Sequence, residues 1–141
     1  LEKAERTVEV RYFPDNRDGM AKVGVEAAEF RIDRPRASLF GAFSSSASAE
    51  GRKAELELVP GLVETGKAKV EGDFGNFPYV GVRAEASKDH SIITVLVARP
   101  RGSAQKPIIG IEKTDSGWSF EADGVKGILD TSNRIPEAFL L

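Results

Sequence analysis

Apolar and polar residues alternate along most of the chain. From Thr7 to Phe13 this places Val8, Val10 and Tyr12 on one side and Glu9 and Arg11 on the other, the period of a half-buried strand. Pro14-Asp15-Asn16-Arg17-Asp18-Gly19 then reads as a turn, built from residues that fix φ or tolerate a left-handed backbone. A second strand is predicted through Ala21 to Ile32 with Val23, Val25 and Ala27 inward, although Gly24 weakens it. Ala37 to Phe43 is a third, more apolar strand. It empties into the small-residue stretch Ser44 to Gly51, which reads as a mobile surface loop.

Lys53 to Val59 sets Ala54, Leu56 and Leu58 against Lys53, Glu55 and Glu57. Gly66 to Gly72 sets Ala68 and Val70 against Lys67, Lys69 and Glu71. Pairing these two segments brings glutamates opposite lysines, so a charged-outside hairpin is expected. In Phe77 to Ala86, Val80, Val82, Ala84 and Ala86 share one face, and Tyr79, Arg83 and Glu85 the other. Ile92 to Arg99 is the most hydrophobic segment and reads as a central strand covered on both faces. Ile108 to Lys113, Trp118 to Ala122 and Val125 to Asp130 follow, separated by the turn signals Asp115-Ser116-Gly117 and Asp123-Gly124. Helical signals reduce to Leu1 to Arg6 and a final turn over Pro136 to Leu141. The expected fold is all-β: one domain over residues 1–141, an antiparallel β-sandwich or small barrel of about 8–10 short strands with little helix.

Composition narrows the chemistry. The 141 residues are 40% hydrophobic and 30% charged, with a net charge of −2, so neither disorder nor a strongly basic nucleic-acid-binding face is expected. Cysteine is absent, which removes disulfides, thiol nucleophiles and thiolate zinc sites. No apolar run approaches the ~20 residues of a membrane-spanning helix. The first residue is Leu1 rather than methionine, as in an exported or organelle-processed protein, or in a piece of a longer one.

Apparent catalytic motifs dissolve on inspection. Gly61 to Lys67 fits G-x-x-x-x-G-K, but Ala68 replaces the magnesium-binding hydroxyl and the alternation continues as strand instead of opening a helix. Asp73-Phe74-Gly75 stands without the other kinase elements. Asp89-His90-Ser91 holds three triad side chains in adjacent positions, which a strand points to opposite faces. His90, the sole histidine, reads as a turn residue. Asp15, Asn16 and Asp18 miss the spacing of a calcium loop, and Glu55 and Glu57 read as solvated surface opposite lysines. No cofactor or metal is expected, and the chain leans away from an enzyme.

Three features point instead to contacts with partners. Gly72 to Tyr79 carries Phe74, Phe77 and Tyr79 in and after a glycine-rich connection, either as a contact surface or as a plug at the sandwich end. The turns Arg34-Pro35-Arg36 and Arg99-Pro100-Arg101, with Lys106, would make a basic patch for an anionic ligand if they lie at one end of the fold. Phe139-Leu140-Leu141 is apolar to the last residue, so burial is expected, on this domain or on a neighbour. The expected function is a binding or structural subunit of a larger assembly, with a protein partner or homo-oligomer. The alternatives are a small barrel carrying a hydrophobic or anionic ligand, and an enzyme built from carboxylates, arginine and tyrosine.

Overall fold

The computed structural model describes residues 7–16, 18–57, 64–65, 68–69, 76–85, 90–103, 105–132 and 136–141, and the elements below are those of the described residues. They are strands, with no helix: β1 (Thr7–Tyr12), β2 (Lys22–Glu26), β3 (Glu29–Asp33), β4 (Ala37–Ser45), β5 (Ala49–Glu57), β6 (Glu64–Thr65), β7 (Ala68–Lys69), β8 (Asn76–Glu85), β9 (Ile92–Pro100), β10 (Ile109–Lys113), β11 (Gly117–Ala122), β12 (Val125–Asp130) and β13 (Glu137–Leu140). All pairings are antiparallel. The first sheet runs β1-β8-β5, the second β2-β3-β4-β9 and the third β10-β11-β12-β13, with β6 and β7 as a separate two-residue ladder. None closes into a barrel, and the architecture is a sandwich.

The first two sheets face each other. Val80 and Val82 of β8 meet Phe30, Ile32 and Phe43 of the second sheet in a fully apolar core, with Tyr12, Val23, Val25 and Leu39 around it. One flank is closed tightly: β5 runs so near β2 that a Cβ on Gly51 would stand 2.7 Å from Val25 and 3.0 Å from Phe43. On the opposite flank, edge strand β1 is tied to edge strand β9 by the Tyr12 hydroxyl, which donates to Thr94 at 2.7 Å. The Tyr12 ring stacks on Phe30 with centroids 4.9 Å apart. The third sheet forms another layer: β10 approaches β4, and β11 approaches β9. Register puts Ile109, Ile111, Trp118, Phe120 and Leu129 on one face of that sheet. Trp118 is only 2% exposed, while Phe40, Ala42 and Ile93 are buried on the second sheet's outer face.

Several sequence expectations change. Ala21 to Ile32 is a hairpin, β2 and β3, not one strand; Ala27 turns outward at φ 51. Ser44 to Gly51 is not a loop. β4 and β5 extend into it, and the corner is held by Ser46 donating its amide to the Ser91 carbonyl while its hydroxyl accepts from the Ser91 amide, both at 2.9 Å. Among the described residues, the glutamate–lysine pairing of Lys53 to Val59 with Gly66 to Gly72 is not found. β5 pairs with β8, and β7 with β6. Through that register β5 turns Ala49 and Gly51 to the core and Ala54 to the outer face beside Tyr79, the reverse of the simple alternation. Ile92 to Arg99 is an edge strand, apolar on both sides because one face lies over the sandwich core and the other under the third sheet. The final segment is β13 and not a helical turn. A helix so short is marginal alone, whereas an extended backbone completes the open edge of β12. Leu1 to Arg6 lies outside the described residues. The Asp123-Gly124 turn stands as expected, with φ values of 53° and 81° in the two-residue geometry that suits a twisted hairpin. Among the described residues, no helix is long and apolar enough to cross a membrane.

Candidate functional site

The two arginine turns do meet. Antiparallel pairing of β4 with β9 sets Ala37 opposite Pro100, and the Arg101 amide donates to the Arg36 carbonyl at 2.9 Å. Their charges, however, are matched by acids. Arg34 forms a fork on Asp18 at 2.6 and 2.8 Å; Arg101 reaches Asp33 at 2.6 Å; Arg99 pairs with Asp123, and Lys106 with Glu29. Asp33 also accepts from Arg31 and from the buried Ser38. Burial pushes its carboxyl upward, but the Ser38, Arg31 and Arg101 hydrogen bonds outweigh it and hold the group below its ordinary range. Among the described residues, only Arg36 of these five cations lacks an acidic partner. Above this end, a cleft of about 690 Å³ opens between β2–β3 and the chain after β9, with Glu29, Arg31, Arg101 and Lys106 on its walls.

Phe77 and Tyr79 stand in β8, not on a loop; Phe74 lies outside the described residues. Tyr79 is buried on the outer face of the first sheet, beneath Phe13 (ring centroids 4.8 Å apart) and Arg11, whose guanidinium lies 5.2 Å from its ring centre. Phe77 is half-buried two positions away. Arg52 donates to the Tyr79 hydroxyl at 3.2 Å and to Glu9 at 2.7 Å, and Arg11 donates to the other Glu9 oxygen at 2.8 and 3.0 Å. Gly81 makes this possible, since a Cβ there would stand 2.3 Å from the Glu9 carboxylate. Carboxylate, arginine and tyrosine therefore converge, but as an ion-paired cover over an aromatic ring on an open sheet face.

That cluster sets a pH dependence. The Arg52 hydrogen bond most strongly lowers the Glu9 carboxyl below its ordinary 4.5, with Arg11 assisting against the opposing effect of burial. A depressed pKa stabilises the fold above the unfolded value and loses that contribution as pH falls through the folded one. Glu9→Gln is therefore expected to cost stability at neutral pH. The gap between wild type and variant in urea titrations should hold down to about pH 4.5 and vanish below it.

The third candidate is β13. Its backbone is docked on β12, with the Leu141 amide donating to the Lys126 carbonyl at 2.9 Å. Its side chains are not covered: Phe139 is 51% exposed, Leu140 75% and Leu141 79%. The expected burial on the same domain is thus not found. Register places Phe139 beside Ile128 on one face of the sheet and Leu140 beside Gly127 on the other, with exposed Val125 nearby in β12. β13 is consequently apolar on both faces and, among the described residues, pairs on one edge alone.

His90 accepts or donates at 3.3 Å with the Ser45 hydroxyl, next to the β4–β5 corner; Asp89 lies outside the described residues. No group of three His, Asp or Glu side chains that could hold a metal ion occurs among the described residues. The chain matches no protein-family model, no curated protein and no solved structure.

One apolar feature was invisible to local pattern. Val8, Val10 and Leu96 lie on the core-facing sides of β1 and β9, yet all three are exposed, because both strands are edges on the same open flank. Alternation indicates the inward face of a strand but not whether a neighbour covers it.

Proposed function

We propose that this protein is a binding module of a larger assembly, docking a strand of a partner protein along β13. The observation that carries the reading is the exposure of Phe139 and Leu140, and of Leu141 just past them, on a strand whose backbone, among the described residues, pairs on one side only. Unpaired edges are normally blunted by charge, proline, bulges or cover. β13 has one charge, Glu137, and otherwise apolar side chains. A partner strand added there gains main-chain hydrogen bonds and buries alternate side chains in the same step. The arginine turns support the reading less, because acids of this chain already satisfy Arg34, Arg99 and Arg101.

The test compares wild type with Leu140→Lys and with Leu141→Lys in cross-linking pull-downs from the native source. Both positions are largely exposed, so each variant is expected to keep the wild-type melting temperature within about 2 °C. A partner held by wild type and lost by both variants supports the reading. Equal retention by all three would sink it.

A further inference from the structure

Cover on the first sheet stops one strand short of its edge. On the core-facing side Val82 and Ala84 of β8 are 0% and 2% exposed, while their cross-strand neighbours in β1, Val10 and Val8, are 36% and 43% exposed. Among the described residues β1 pairs with β8 alone, so its other row of N–H and C=O groups has no strand beside it. Edges of this kind are usually blunted by charge. The two charges of β1, Glu9 and Arg11, are opposite in sign and flank Val10. They are ion-paired to each other, and Glu9 also to Arg52, so they exert little pull on an outside ion. Their effect is on register. Two copies of β1 laid antiparallel with their faces matched can be centred on Glu9, Val10 or Arg11. Centring on Glu9 opposes two carboxylates, and centring on Arg11 opposes two guanidiniums. Centring on Val10 sets each Glu9 against the other copy's Arg11, Val10 against Val10, and Val8 against Tyr12. The strand is its own complement in that register.

We infer that β1 is the edge on which two copies of this chain pair, antiparallel about a two-fold axis at Val10, joining their first sheets into one. The pairing gives both edges main-chain hydrogen bonds and covers both exposed valine strips in the same step. A two-fold contact uses one patch twice and so closes at the dimer. The exposed edge strand β9 carries no such rule. It is uncharged from Ile92 to Ala98, so no register is selected, and Pro100 offers no N–H. The dimer edge is separate from β13 and does not depend on the docking reading.

Sedimentation of the full 15.2 kDa chain is expected to show a monomer–dimer equilibrium, with a dissociation constant on the order of tens of micromolar for so small an interface. Val10→Lys sets two ammonium groups against each other at the axis and should weaken the dimer by at least about tenfold. Leu140→Lys should leave it unchanged. Because the chain has no cysteine, single cysteines read the register directly. Val10→Cys places its two thiols on directly opposed residues, with Cα atoms about 5 Å apart and within reach of a disulfide. Val8→Cys leaves its thiols about 13 Å apart along the strands. Mild oxidation should convert Val10→Cys to a covalent dimer and leave Val8→Cys monomeric. These small replacements decide the matter even where Val10→Lys fails to fold. The inference is overturned if the wild type stays monomeric up to about 0.5 mM, or if Val8→Cys cross-links as readily as Val10→Cys. A dimer that Leu140→Lys dissolves and Val10→Lys does not would assign self-association to β13 and overturn it equally.

Discussion

Gly117→Ala is expected to cost about 3–4 kcal/mol, because steric overlap and backbone strain act at one atom. The residue sits at φ +156, and a Cβ there would stand 2.1 Å from the Leu129 carbonyl oxygen and 3.0 Å from the Thr131 amide. Both neighbours are main chain, so no side-chain rotation relieves the clash. Relief requires moving β12 away from β11 at the Gly117–Asp130 pair, beside the bond from the Thr131 amide to the Ser116 carbonyl. Trp118, the sole tryptophan, is adjacent and buried, so its fluorescence reports the event directly. Urea denaturation should show a large fall in midpoint, and the native emission should shift to the red as the third sheet lifts from the second. Gly110→Ala is the control: a Cβ there meets nothing within 4 Å, and its effect should stay within about 1 kcal/mol. Equal effects at the two glycines would contradict the packing of β11 against β12.

What could be read from the sequence divides along a physical line. Features decided by a few neighbouring residues were legible. Asp123-Gly124 supplies the two left-handed positions its turn needs, and Val80, Val82 and Ala84 alternate onto the core as predicted. The β2–β3 turn was not legible, because Ala27 adopts φ 51 without being glycine or asparagine; tertiary pairing on both sides imposes it. The apolar run of Ile92 to Arg99 points to a central strand. Yet covering the two faces of a strand is a different matter from pairing its two edges, and only sheet order separates them. The arginine turns were visible as a repeated motif, but what neutralises them was not. Arg101 finds Asp33, and Arg99 finds Asp123, only after β4 and β9 pair and the third sheet folds over. The candidate sites follow the same division. The apolar character of Phe139 to Leu141 was plain in the sequence, whereas the open flank between β1 and β9 exists only because both strands end their sheets on the same side.

The packing of the core ring over its own sheet can be tested through a coupled pair. Phe30 lies directly across from Gly41, and its ring occupies the space above that glycine: a Cβ on Gly41 would come 2.2 Å from the ring tip. An aromatic ring laid over a glycine on the neighbouring strand replaces the side chain the glycine lacks. Gly41 has no left-handed φ, so alanine suits its backbone and the penalty is purely steric. Gly41→Ala should cost about 2–3 kcal/mol, as the ring is forced against Tyr12, which stacks on it with centroids 4.9 Å apart. Phe30→Ala should cost about 3–5 kcal/mol, since it empties the centre of the core. In the double variant the alanine methyl at 41 meets the void left at 30, so the two losses should fall short of their sum by about 1–3 kcal/mol. Denaturant midpoints for the four proteins measure this directly. Additivity within about 0.5 kcal/mol would mean that the ring does not rest on the glycine.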